Sequence, residues 1–462
     1  MEVLYYKRRA EVAMKLFVAI VGILILMSVA AWKMQPEKTH DGRTELTWVS
    51  DDNPARREQI KLFEKNFTGC QLQLDPTNGG TEKVIVQSLA GVGPDLFDYF
   101  GIHELSAYVK SGVAWDVTDE LRKAGVDVKD IWPIGSRAVT YKGRVYGFPT
   151  NVVVQALWFN KDKFDECGIP YPKGQWTWKE FLPIAQRLTI RDSNGRVKQY
   201  GLLLQWGFWP QFVWQWGGSI YSKDGTRCTL DSPQAIAGVQ FLHDLIYKYK
   251  VMPTPSEEQN MATTGGWGSG SISLFGAGKG AMAYGGRWWL CTLRGYKDLR
   301  LGAVECPHGL RRVYFGGSRS TLINKHSPRR KQALEFLKFL ASKDYNELVN
   351  HQADGIAPVT QHSYTDKYLH DPEFPQEDGN AVWRDTVKCA RFNEVSTFIN
   401  TLTADRILSK QMDLVRNNQK SVTKALKEAA RQINAEIAKN VENDPALCAE
   451  YLRLTAKNSS AN

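Results

Sequence analysis

Glu45-Leu46-Thr47-Trp48-Val49 alternates polar and apolar side chains, the period-two pattern of a half-buried strand. Asn53-Pro54 follows, an N-cap and first-turn pair that opens a helix, and Ile60, Phe63 and Phe67 recur behind it at helical spacing. Gln71-Leu72-Gln73-Leu74 alternates again, Thr81 to Leu89 reads as a second helix, and Pro94-Asp95-Leu96-Phe97 starts a third strand. This β-α-β-α-β rhythm predicts an α/β sheet layered by helices.

Further helices follow downstream. Thr177-Trp178-Lys179-Glu180 is a capping box, in which hydroxyl and carboxylate satisfy free backbone N–H groups, and Trp176 with Phe181 supplies a hydrophobic staple. Pro183 is expected to bend that helix. Ser232-Pro233 begins another, with Ile236, Val239 and Leu242 on one face. Ser327-Pro328 begins a third, with Leu334, Leu337 and Leu340 inward. Arg406 to Ile437 reads as one or two amphipathic helices, and the chain beyond Asn443 as a polar tail that frays.

Upstream, Leu16 to Trp32 carries no charged residue, and Lys7, Arg8, Arg9 and Lys15 precede it. At 1.5 Å per residue such a run roughly spans a ~30 Å hydrocarbon core. The cationic flank stays cytoplasmic, so the bulk of the chain is expected outside. Ser28-Val29-Ala30-Ala31 equally supplies the small residues of a cleaved signal, and both readings stand.

The net charge of +10 comes from 59 Lys and Arg against 49 Asp and Glu, with no dense basic stripe, so nucleic-acid binding is not expected. The seven cysteines form no C-x-x-C, which disfavours zinc or redox motifs; an odd number leaves at least one thiol outside any intrachain disulfide. Gly276-Ala277-Gly278-Lys279-Gly280 fails as a phosphate loop, because Ser273 stands where Gly is required and Gly280 where Ser or Thr would hold magnesium. There is no G-x-S-x-G elbow and no H-E-x-x-H pair. No cofactor, metal ligand or catalytic residue is expected.

Tryptophan is the unusual residue, fifteen in all, several beside glycine: Trp206-Gly207-Phe208-Trp209, Trp214-Gln215-Trp216-Gly217-Gly218 and Gly285-Gly286-Arg287-Trp288-Trp289. An indole face packs on the C–H face of a sugar ring, and glycine lets a backbone approach a ligand, so the set points to an aromatic-lined cleft, with core packing the plain alternative. Asp51-Asp52 follows the first strand, and Asp95 and Asp98 flank another. Strand-end carboxylates accept sugar hydroxyls, cap helices, or serve as the acid and base of a glycosidase; Asp95, after Pro94, reads as structural.

The order of motifs resembles the bacterial extracellular solute-binding proteins of ABC sugar importers, the class that includes maltodextrin-binding proteins. The resemblance covers nearly everything after Thr44. It rests on Leu46 to Val49, Gly93 to Phe97, Tyr141-Lys142-Gly143-Arg144-Val145-Tyr146-Gly147-Phe148-Pro149, Leu157-Trp158-Phe159-Asn160-Lys161-Asp162, and Trp176 to Phe181. Gly217-Gly218-Ser219, Gly278 to Met282 with Gly285 to Trp288, and Leu334-Glu335-Phe336-Leu337 complete it.

The resemblance implies a two-lobed α/β periplasmic-binding-protein fold of type II, a Venus flytrap, behind the N-terminal transmembrane or signal helix. Its segments would be 1–15 cytoplasmic flank, 16–32 anchor or signal and 33–43 linker. Lobe 1 would hold 44–149 and 301–342, lobe 2 150–300 and 343–442, with 443–462 as tail. Binding positions implied by the family are Ser50, Asp51 and Asp52; Asp98, Tyr99 and Phe100; Thr150 and Asn151; Trp209 and Trp214; Gly286, Arg287 and Trp288; and Gly316, Gly317 and Ser318. Two departures stand out. Relatives often carry a polar residue near Val152 or Val153, and many have Pro where Arg287 stands, which raises the prospect of a charge in the cleft that pairs with an acidic sugar or phosphate. The implied partners are a carbohydrate ligand, the ABC permease subunits and, through the N-terminal helix, the inner or cytoplasmic membrane, with the body in the periplasm or outside. The alternatives are a membrane-anchored glycosidase using Asp51 and Asp98, and a ligand-binding sensor subunit.

Overall fold

In the computed structural model, which describes residues 14–15, 17–25, 27–28, 42–261 and 270–459, the opening rhythm forms a sheet. Strand β1 (Thr44–Val49) lies between β2 (Cys70–Asp75) and β3 (Leu96–Tyr99), parallel to both. Asn53 accepts from the backbone N–H of Ala55 at 3.0 Å and so starts the helix Ala55–Asn66. That helix buries Phe63, whose ring lies 5.3 Å from Phe336 and 5.5 Å from Phe339. Trp48 packs on Phe336 from the sheet side at 4.9 Å. Burying each such side chain contributes roughly 1.5–3 kcal/mol.

Two long strands and the short edge strand Ala390–Arg391, which pairs parallel with the second of them, complete this sheet. β4 (Gly147–Val154) runs antiparallel to β9 (Tyr314–Ile323), and β9 also pairs antiparallel with β3. The second sheet has β8 (Leu301–Val304) beside β5 (Ala156–Asn160), then β7 (Gly280–Gly285), β6 (Val197–Leu203) and the short strand Ile190–Arg191. Gln155 alone separates β4 from β5, so the chain passes between the sheets at that residue. Each sheet has its own core: Leu46, Trp48, Phe63 and Phe336 belong to the first, and Trp158, Leu202, Met282 and Leu242 to the second. The body is a two-lobed α/β fold whose lobes are joined by crossing strands.

Several expectations are corrected. Leu301 does not begin the return to lobe 1: Leu301–Val304 pairs antiparallel with β5 in the second sheet, and the return is made in Tyr314–Ile323. Lys343–Gln352 does not belong to lobe 2. Its Tyr345 ring sits 5.0 Å from Phe339 and its hydroxyl donates to the carbonyl of Thr150, which holds the helix on the first core. The segment expected to be helical from Ser327-Pro328 is helical from Arg330, with the Ser327 hydroxyl donating to Asp95 and accepting from the Arg329 backbone N–H at 2.9 Å. The chain beyond Asn443 is helical over Pro445–Ser459, and Tyr451 packs edge-on against Phe398. All seven cysteines are free thiols. The capping box forms as expected: Thr177 N–H donates to Glu180 at 2.7 Å, and the Trp176 and Phe181 rings lie 5.6 Å apart.

The chain divides into Met1–Arg43 and Thr44–Asn462. In the first unit residues 17–25 are helical, with Phe17, Ile23 and Leu24 exposed. Residues 1–13, 16, 26 and 29–41, which hold much of the expected flank, span and linker, lie outside the described residues. Among the described residues no helix is long and apolar enough to cross a membrane.

Candidate ligand-binding cleft

The turns after β1 and β3 converge with the crossing strands on a cleft of about 550 Å³. Sites outside the carboxyl ends of strands are where open α/β sheets bind ligands. Asp51 and Asn53 come from the first turn and Arg56 from the helix behind it; Phe100 and Gly101 come from the second turn and Glu104 from the helix Ile102–Lys110. Asn151, Val153 and Gln155 line the cleft at the alternate positions that share one face of an extended strand. Phe315 to Arg319 of β9 lies across from them, Asp354 completes the floor, and Phe208, Trp288, Phe392 and Asn393 close the other side.

The floor is a buried ion network. Arg56 donates from Nε to Asp51 at 2.8 Å and from Nη1 to Asp354 at 2.5 Å. Arg319 donates from Nη1 to Asp51 at 3.3 Å and from Nη2 to Asp354 at 3.2 Å, while its Nε donates to the Thr150 hydroxyl at 2.7 Å. The carboxylate of Asp98 is 3.6 Å from the same Nε. It accepts from Trp48 Nε1 at 2.9 Å, Ser50 Oγ at 2.6 Å and Thr321 Oγ1 at 2.5 Å. Burial pushes Asp98 up to about 6 against the pull of those donors. Burial also raises Asp51, with Arg56 opposing it. Glu104 lies at the edge, its Oε2 accepting the backbone N–H groups of Phe100 and Gly101, each at 2.8 Å.

The opposite wall is aromatic. Phe208 and Phe315 pack at 5.2 Å between centroids with planes 57° apart, and Trp288 is half-buried beside them. Two glycines beside the cleft leave no room for a side chain. A Cβ on Gly286 would fall 1.5 Å from the Trp288 ring, which lies back over that backbone. A Cβ on Gly316 would meet the Ala390 Cβ at 2.6 Å and the Val153 carbonyl at 2.8 Å.

A bacterial extracellular solute-binding protein model matches residues 49–347. The chain belongs to that family. A putative binding protein of Brucella abortus is 24% identical over 351 residues, 74% of this chain and 81% of that protein. The sn-glycerol-3-phosphate-binding periplasmic protein of Rhizobium meliloti is 23% identical over 87% of this chain and 95% of its own length. Among solved structures, an ABC substrate-binding protein of Listeria monocytogenes in complex with cycloalternan superposes with a TM-score of 0.74, at 23% identity, covering 86% of this chain and 99% of that one. These relatives are binding proteins, not enzymes.

In this solute-binding protein the structure brings Asp51, Phe100, Asn151, Trp288, Gly316, Gly317 and Ser318 together in the cleft. It places the other expected positions elsewhere. Ser50 and Asp98 bond to each other beneath the floor, and the Tyr99 hydroxyl donates to the Ala138 carbonyl at 2.6 Å. Thr150, on the strand face opposite Asn151, is buried against Arg319, and Asp52 is exposed on the turn outside the cleft. Trp209 lines a separate pocket of about 340 Å³ beside Met412 and Arg416, and the buried Trp214 donates to Glu394 at 2.7 Å. Gly286 borders the wall only as the bed of Trp288. Arg287 does not bring a charge into the cleft: its guanidinium donates to Asn380 Oδ1 and to the carbonyls of Gly355 and Asn350, at 2.8, 3.0 and 2.8 Å. Trp288 is the cleft's tryptophan among the described residues; phenylalanines make up the rest of its aromatic lining.

Residues not foreseen have unequal traces in the sequence. Gln155 shares the alternation of Asn151. Phe208 and Phe315 each adjoin glycine, the pattern used above for tryptophan. Arg56 and Asp354, 298 positions apart, leave no local sign. A larger crevice of about 1010 Å³ lies among Trp132, Arg137, Phe148 and Lys388, but the turns after β1 and β3 do not reach it.

Proposed function

We propose that the protein captures a carbohydrate between its lobes and delivers it to an ABC permease. The observation that carries this reading is a cleft at the crossing strands with aromatic faces on one side and fixed polar groups on the other, the pairing that suits the C–H faces and hydroxyls of a sugar. The cycloalternan complex of the Listeria relative supports it. Ligand touching both lobes favours the closed form by its differential affinity, and the permease then distinguishes closed from open. The contact set proposed is Asp51, Phe100, Asn151, Trp288 and Gly316 to Ser318, with Gln155, Phe208 and Phe315 added by the geometry. Leu16 to Trp32 would tether the receptor near the permease, or be removed after export; the mass of the mature N-terminus in membrane fractions decides between these.

A thermal-shift screen over mono- and oligosaccharides tests the reading. A ligand at 100 times its Kd stabilises the folded form by about 2.7 kcal/mol, so even modest binders register. Shifts with amino acids or peptides and none with any sugar would overturn the carbohydrate assignment.

A further inference from the structure

The cleft holds more acceptors than free donors. Its two guanidinium groups, Arg56 and Arg319, are both bound to protein carboxylates: each to Asp51 and Asp354, and Arg319 close to Asp98 as well. Three carboxylates therefore share two cations, and Glu104 at the rim adds another acid. No other Lys or Arg and no His is among the described residues that line the cleft, and residues 262–269 contain no ionisable side chain. The local sign is opposite to the chain's net +10. An entering anion would meet this excess, and to gain a guanidinium it would have to break a buried ion pair.

Gln155 points the same way independently. It lines the cleft at the joint between β4 and β5 and is 2% exposed. Its backbone N–H donates to the Phe315 carbonyl at 2.9 Å, while its side-chain Oε1 is buried with no hydrogen-bond partner among the described residues. A buried acceptor without a donor is a cost that a ligand hydroxyl or ammonium group removes.

We infer that the cleft selects uncharged or amine-bearing saccharides and rejects phosphorylated and uronic ones, with Gln155 Oε1 accepting from a ligand hydroxyl or ammonium. This inference rests on the carbohydrate reading above and narrows it. It separates this protein from the Rhizobium relative named for sn-glycerol 3-phosphate.

Calorimetric titration of the full chain in detergent at low salt tests it. The probes are maltotriose, mannotriose, raffinose and a glucosamine trimer, against trigalacturonate and sn-glycerol 3-phosphate. The expected result is that one or more of the first four binds at least about 10-fold tighter than either anion, the size of one well-placed polar interaction. An anion that binds as tightly as the best uncharged or amine-bearing probe overturns the inference; if that anion is trigalacturonate, the carbohydrate reading survives. If no probe of any charge binds while amino acids or peptides do, both fall together. Gln155→Leu is expected to weaken the best ligand about 10-fold while leaving the unliganded Tm unchanged or higher, because the unpaired amide is gone. Undiminished affinity in that variant removes Gln155 from the ligand site.

Discussion

The two sides of the cleft are built on different principles. The floor of Arg56, Arg319, Asp51 and Asp354 is nearly sealed, and its charged groups already bind one another. The wall of Phe208, Trp288 and Phe315 leaves ring surface half-buried and open to a ligand. Groups already satisfied by the protein gain little from a ligand, whereas apolar faces still in contact with water gain on being covered. On the proposed reading the floor therefore holds shape and charge, and the wall is expected to supply affinity.

The sharpest test of that division is Arg319→Met. It leaves Asp51 and Asp354 short of a partner inside the protein, and breaking a buried pair costs about 3–5 kcal/mol. Chemical denaturation of the unliganded protein should show that loss; a change below about 1 kcal/mol would mean the floor is not structural. Trp288→Ala should do the reverse. Ligand affinity is expected to fall by about 1.5–3 kcal/mol, roughly 10- to 150-fold, with stability of the unliganded form changed by about 1 kcal/mol or less. Equal losses in both measurements would merge the two regions into one. The smallest effect concerns pH. Asp98 is raised to about 6 by burial, so between about pH 4 and 6 the folded protein keeps a proton that the unfolded chain has released. Stability from this group is present below about pH 4 and is lost as pH rises through about 6. Asp98→Asn should flatten that slope relative to the parent when unfolding is followed across the window.

Local pattern carried much of the architecture. The alternation of Leu46 and Trp48, the Asn53 cap and the Thr177–Glu180 box all act within a few residues, and each appears in the structure where the sequence put it. The strand end after Val49 was legible for the same reason and brings Asp51 to the cleft, whereas Phe100, just beyond the end of β3, was implied by the family resemblance and not by local pattern. Side-chain direction was less legible. Thr150 and Asn151 are neighbours in sequence and face opposite sides of β4, and Trp209 and Trp214 turn into other surroundings although they sit in the most suggestive aromatic stretch.

What the sequence by itself determined is the layered α/β order, the helix starts and the family's motif series, because hydrophobic period, capping and turn chemistry are short-range. What only the tertiary structure decided is which charges are free. Arg287 reads as a cation for the cleft until Asn350, Gly355 and Asn380 are folded against it, and the pairing of Arg56 with Asp354 has no sign in the sequence at all. A charge is silenced or exposed by partners tens to hundreds of residues away, and such pairings are set by packing in three dimensions rather than by spacing along the chain.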